Sequence, residues 1–279
     1  MSKLNTSSRV AAWVLFGAGV NQASGLTVDT ELLLLVDVSG SVDSREYDLM
    51  IQGYADAFRS SEVVSAIESG HYKSIAASVM FWSGRDEQSV GVDWMVIDSA
   101  ESATSFSDAI LQTQRPFSGM TAIGSALNAG ASFFGDETGG VANGFESLVQ
   151  VIDISGDGTD NNTPPDGVDR AQNVRASRDA ALAAGVDMIN GLPIGNAGGA
   201  LENYYQDNVI GGEAAGVEAF TQASADFSFV EDSLGLKLQR EVEAAGAESM
   251  EIVAAIPEPS SAVLLGVGGS FLLLLRRRP

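Results

Sequence analysis

The chain has 279 residues, 45% of them apolar, enough to bury a sizeable core and too many for wholesale disorder. Its 37 acidic against 15 basic residues leave a net charge of -22, a surface that repels nucleic acid and anionic lipid and attracts divalent cations. With no cysteine and a single histidine, His71, disulfides, thiolate metal sites, cysteine nucleophiles and histidine-cluster zinc are all excluded.

Residues 1–25 open with Lys3 and Arg9, continue as the short apolar run Val10 to Val20, and end in the small residues Ala23, Ser24 and Gly25. That layout is expected of an export signal, with cleavage after Ala23 or Gly25. An amphipathic first helix is the competing reading, but no periodic polar face supports it.

Glu31 to Val38 is a continuous apolar run, which predicts a central strand covered on both faces. Val42 to Arg59 has helical spacing, with Tyr47, Met50, Ile51, Tyr54 and Phe58 on one stripe. Ser74 to Trp82 and Val90 to Ile97 predict two strands paired as an edge hairpin across SGRDEQ. Helices are expected over Ser102–Gln114 and Thr121–Phe134, a strand over Leu148–Ile154, and a helix over Val168–Ala184 ended by Gly185. Val186 to Leu192 reads as a strand, Leu201–Val209 as a short helix, Phe227–Val230 as a weaker strand and Leu234–Ala244 as a final helix. The Gly- and Ala-rich stretch Gly195 to Ala225 otherwise reads as loose loop. Alternation of this kind predicts an α/β fold: an open, doubly wound, mostly parallel sheet with flanking helices and one antiparallel edge strand, forming one domain over residues 26–250. Ligands in such sheets sit at the carboxyl ends of the strands.

Residues 256–279 read as a second address. Pro257-Glu258-Pro259 precedes the uncharged run Ser260 to Leu275, and Arg276 to Arg278 stop it. The run is short for a full bilayer span, and the arginines belong on the cytoplasmic side. This tail resembles the PEP-CTERM sorting signal of Gram-negative bacteria. The resemblance implies recognition by an exosortase-type membrane protease, transient inner-membrane anchoring through a short transmembrane segment, and a product at the cell surface or outside the cell.

Three short pieces carry the chemistry. Asp37-Val38-Ser39-Gly40-Ser41 follows the first strand, Ser118-Gly119-Met120-Thr121 opens a helix, and Ile154-Ser155-Gly156-Asp157-Gly158 closes a strand. Each places small oxygen ligands on a loop, and oxygen-only coordination suits Mg2+, Ca2+ or Mn2+. Asp37, Ser39, Ser41, Thr121 and Asp157 supply five oxygens and leave one position of an octahedral ion for a partner. In and around the third piece Asp153, Asp157 and Asp160 all compete for the ion; Asp157 stands where the strand has just ended. An EF-hand starting at Asp153 is rejected, because Pro164 occupies the place of the bidentate glutamate.

Asp37-x-Ser39-x-Ser41, Thr121 within GMTAIGSAL, and Asp157 resemble the metal-ion-dependent adhesion site (MIDAS) of von Willebrand factor A domains. The likeness covers about Glu31 to Gly246 and is nearest to a bacterial branch of unknown function, DUF1194-like. It implies that Asp37, Ser39 and Ser41 are first-loop ligands, Thr121 the second-loop ligand and Asp157 the third, often through water. It also implies a divalent ion, most often Mg2+, and a domain that binds a protein or surface carboxylate and does not catalyse. Gly156, directly before the aspartate, departs from the family pattern.

Two rival functions remain. A metal-dependent phosphohydrolase with an aspartyl nucleophile would need a second acid two residues on, where Ser39 stands, and no lysine or histidine neighbours the motif in sequence to assist. A structural matrix component would carry the ion only for stability. The acidic segment Asp160 to Gly167 is expected to be an exposed loop that affects ligand choice. His71 is expected at the surface, Trp82 and Trp94 in core or edge packing, Tyr204 and Tyr205 in either recognition or core roles, and Arg170, Arg175 and Arg178 in solvated salt bridges.

Overall fold

The computed structural model describes residues 25–195 and 198–255. The expected export signal, apart from Gly25, and the expected sorting signal at 256–279 therefore lie outside the described residues. Among the described residues no helix is long and apolar enough to cross a membrane.

The strands are β1 (Leu26–Val28), β2 (Thr30–Asp37), β3 (Ile75–Trp82), β4 (Gln88–Ile97), β5 (Phe145–Ser147), β6 (Gln150–Gly156), β7 (Met188–Pro193), β8 (Gly211–Ala214) and β9 (Val217–Glu218). The helices are α1 (Ser44–Arg59), α2 (Ser61–Ser69), α3 (Ala100–Leu111), α4 (Ile123–Ala131), α5 (Arg170–Ala184), α6 (Ala200–Asn208) and α7 (Val230–Ala255). One seven-stranded sheet runs in the order β4-β3-β2-β6-β7-β8-β9, and β1 and β5 form a small parallel pair.

Every residue of β2 is buried, because parallel neighbours β3 and β6 flank it and helices cover both faces. Leu32, Leu34 and Val36 pack on the side of α1, α3 and α7, whereas Leu33 and Leu35 pack on the side of α4, α5 and α6. Each such leucine contributes roughly 1.5–3 kcal/mol by leaving water. The period-2 alternation then forces Asp37 onto the α4 side at the strand's carboxyl end.

The antiparallel edge is as expected: β4 pairs antiparallel with β3 through a turn in which Glu87 N donates to Gly84 O. The opposite edge is antiparallel too, through β8 and β9. This hairpin falls within the stretch expected to be loose, whereas α6 is the short helix expected over Leu201–Val209. Ala215 and Gly216, both at positive φ, form the two-residue turn between β8 and β9. An alanine in that conformation hides the usual Asn-Gly or Asp-Gly signal.

Two further elements differ from expectation. The segment Phe227–Val230 is no strand: Phe227–Phe229 is a 3-10 turn that leads directly into α7, with Asp226 accepting from Ser228 N. Phe227 and Val230 are buried at helical, not alternating, spacing. The final helix accordingly begins at Val230 and reaches Ala255. Helix α2 was not anticipated; Ser60 ends α1 and accepts from Val63 N to start α2.

Candidate metal centre

Asp37 ends β2 and Asp157 directly follows β6, its hydrogen-bonded neighbour, so the sheet itself brings the first and third loops together. Ser39 N donates to Asp37 Oδ1 at 2.7 Å, which curls the first loop back over its own strand. The hydroxyls of Ser39 and Ser41 then lie 3.1 Å apart, and Ser41 Oγ donates to Asp157 Oδ1 at 2.6 Å. Four of the five expected residues are thus joined by one continuous chain of hydrogen bonds, whose first link is the Ser39 backbone N–H. Immediately afterwards Asp43 and Glu46 close a capping box on α1, so the helix starts at Ser44, not Val42, and the loop's exit is pinned.

Thr121 is fastened through its backbone. Gly40 N donates to Gly119 O at 2.8 Å, which ties the first loop to the second. Thr121 N donates to Asn161 Oδ1 at 3.0 Å and Asn161 N returns to Thr121 O at 2.9 Å, which ties the second loop to the third. Thr121 Oγ1 stands 3.8 Å from the position a Cβ would take on Gly158.

The three competing carboxylates separate cleanly. Asp153 lies on the opposite face, fully buried, with Lys237 Nζ at 2.7 Å from its Oδ1 and Glu241 on the same ammonium. Asp160 turns inward, where it accepts from Asn162 N and Thr163 N and from the hydroxyl of Thr163. Only Asp157 meets the serines. Asp160 and Thr163 are buried, so the start of the acidic segment braces α4 through Gly124 N, whereas Asn161 and Pro164 to Gly167 are exposed as expected.

Gly156 is explained by the space it leaves. A Cβ there would stand 2.8 Å from Asp37 Oδ2 and 2.6 Å from the Tyr205 hydroxyl. Any larger residue would displace the first carboxylate.

Asp37 is fully buried and its Oδ2 has no hydrogen-bond partner. Burial, together with the charge of Asp157, pushes its carboxyl up to about 7 against the opposing bonds from Ser39. A buried acceptor without a donor beside a second carboxylate and three hydroxyls is a donor set that a hard divalent cation would satisfy. Among the described residues no three His, Cys, Asp or Glu side chains gather to hold an ion by themselves, so the hydroxyls would have to supply much of the coordination.

Some supporting residues were invisible to the sequence reading. Arg115 donates to the carbonyls of Val38, Ser39 and Phe117 and so staples the first loop to the second. Its signal was a lone cation just before SGMT in an acidic chain. Ser83 Oγ accepts from Gly119 N and donates to Met120 O. The other residues stand as follows. His71 is exposed against Tyr72; Trp82 is core, Trp94 packs at the edge on Phe133, and Tyr205 is core. Arg170 and Arg178 make surface ion pairs, whereas Arg175 donates to Asn208.

The family model described as "Protein of unknown function (DUF1194)" matches residues 27–246. The chain belongs to this family. A comparison with curated protein sequences returns no match. Among solved structures, proximal thread matrix protein 1 from the mussel byssus aligns with TM-score 0.53 and 16% identity, over 80% of this chain and 49% of that one. The same protein with a zinc-occupied MIDAS motif gives 0.52 and 16%, again over 80% and 49%. PilB minor pilin from Streptococcus sanguinis gives 0.53 and 10%, over 80% and 62%. The pilus adhesin SpaC from Lactobacillus rhamnosus GG gives 0.51 and 12%, over 80% and 31%. The DUF1194 chain thus spans about half the length of the byssus protein and a third of the adhesin. At these identities the likeness shows the fold alone, a mostly parallel sheet with helices on both faces.

Proposed function

We propose that this DUF1194 chain is an exported binding module. Asp37, Ser39, Ser41, Thr121 and Asp157 hold a divalent cation, Mg2+ in preference to Ca2+ or Mn2+, and the ion bridges to an acidic group of a protein or surface partner. The observation that carries the reading is the chain of hydrogen bonds from Asp37 through Ser39 and Ser41 to Asp157, with Asp37 Oδ2 unpartnered at its inner end. Bound there, the cation would supply positive charge with a free coordination position. In a chain of net charge -22 that local charge is what lets a carboxylate approach. The zinc-occupied MIDAS motif in the byssus protein, and the matrix, adhesin and pilin roles in the names of the structural relatives, support metal binding and an extracellular setting. The export signal at 1–25 and the tail at 256–279, as substrate of an exosortase-type protease, complete the proposal.

Binding and not hydrolysis is the reading the site supports. Ser39 stands where a phosphohydrolase would place its second acid, and Lys237, the buried lysine nearest the sheet centre, points away to the other face. Calorimetric titration of the full chain with Mg2+ and Mn2+ tests the proposal. One ion per chain is expected, lost in Asp37→Ala, together with retention on carboxylated beads that EDTA abolishes. Retention that survives EDTA would overturn it.

A further inference from the structure

Two glycines on neighbouring strands open a slot behind the first metal loop. A Cβ on Gly191 in β7 would stand 2.7 Å from Tyr205 Cδ1, and one on Gly156 in β6 would stand 2.6 Å from the Tyr205 hydroxyl. The ring of Tyr205, carried by α6, therefore occupies the space both side chains would need, and it is fully buried there. Its hydroxyl has no hydrogen-bond partner. At the same place lies Asp37 Oδ2, also buried and unpartnered, 2.8 Å from the same Gly156 position. The Trp82 indole closes the slot, with Cζ2 3.3 Å from that position and a buried Nε1 that has no acceptor.

A buried donor and a buried acceptor, both without a partner, that share one slot are rare in folded proteins, because leaving either unmade is costly. Core packing explains the glycine at 191 but not the oxygen on the ring, because a phenylalanine would fill the same slot.

We propose that Tyr205 is a positioning residue of the metal centre: its hydroxyl supplies, directly or across one water, the hydrogen bond that Asp37 Oδ2 lacks, and so orients that carboxylate toward the cation. The inference rests on the reading of this site as a metal centre. A carboxylate ligand braced from behind by a donor is the usual way an outer group tunes a metal site.

The test compares Tyr205→Phe with Tyr54→Phe in the full chain. Tyr54 is also fully buried with an unpartnered hydroxyl, but it packs on the opposite, α1 face of the sheet, beside Asp153. Mg2+ affinity measured by calorimetry is expected to fall about tenfold in Tyr205→Phe and to stay unchanged in Tyr54→Phe. The near-ultraviolet tyrosine difference band induced by Mg2+ should vanish in Tyr205→Phe alone. The thermal midpoint of metal-free Tyr205→Phe should be equal or higher, since an orphan hydroxyl has been removed. Wild-type affinity in Tyr205→Phe, or an equal loss in Tyr54→Phe, would overturn the inference. If Asp37→Ala abolishes Mg2+ binding while Tyr205→Phe does not change it, only this inference falls. If the wild-type chain binds no divalent ion, both fall.

Discussion

Asp37 and Asp153 sit on adjacent strands of one sheet, both fully buried, on opposite faces. Asp153 has an internal cation: Lys237 reaches it from α7, and Glu241 shares the ammonium. Asp37 has none, only a backbone N–H and neighbouring hydroxyls. Burial pushes both carboxyls up, but at Asp153 the Lys237 charge opposes the shift, whereas at Asp37 the Asp157 charge adds to it. The same residue type at the same depth is thus structural where the chain brings its own counterion, and a candidate binding group where it does not.

The largest effect should come from removing the internal counterion. Lys237→Met leaves Asp153 and Glu241 buried without a cation, and chemical denaturation should show a loss of about 3–5 kcal/mol. Little or no loss would erase the contrast between the two aspartates. Asp37→Ala should behave in the opposite way. The metal-free protein should lose no stability, but the stabilisation that saturating Mg2+ confers, about 2.7 kcal/mol at a hundredfold excess over Kd, should disappear.

A pH series sharpens the comparison. Two carboxylates on one ammonium leave the Lys237 cluster one negative charge in excess unless a proton stays bound, and burial raises Glu241 to about 8. A carboxyl whose folded value is raised contributes stability that is complete below its ordinary range near 4.5 and is lost as pH rises to about 8. The thermal midpoint of metal-free protein should therefore fall between pH 5 and about 8, and Glu241→Gln should flatten that slope. The smallest effect belongs to Ser41→Ala. Ser41 is exposed, so metal-free stability should change by no more than about 0.5 kcal/mol, while Mg2+ affinity measured by calorimetry falls.

Much of the fold was legible because its signals are local. The apolar run before Asp37 reads as a doubly covered strand wherever it sits, and Asp-x-Ser-x-Ser must form a tight loop once that strand ends. Phe227–Val230 misled, because so short an apolar stretch has no period long enough to separate strand from helix. The choice of Asp157 over Asp153 and Asp160 came from its position past the strand end, and the structure shows why the other two are occupied: one is paired with Lys237, the other is engaged in its own turn.

Composition and short-range order were sufficient for the open α/β sheet, the acidic surface and the five oxygen-bearing loop residues, because strand period and turn chemistry act over a few residues. Only the tertiary structure decided which buried carboxylate keeps a counterion and which does not, that Arg115 staples two loops, and that Tyr205 fills the slot left by Gly156 and Gly191. Those outcomes depend on which side chains from distant parts of the chain share one face of the sheet, and no local pattern encodes that distance.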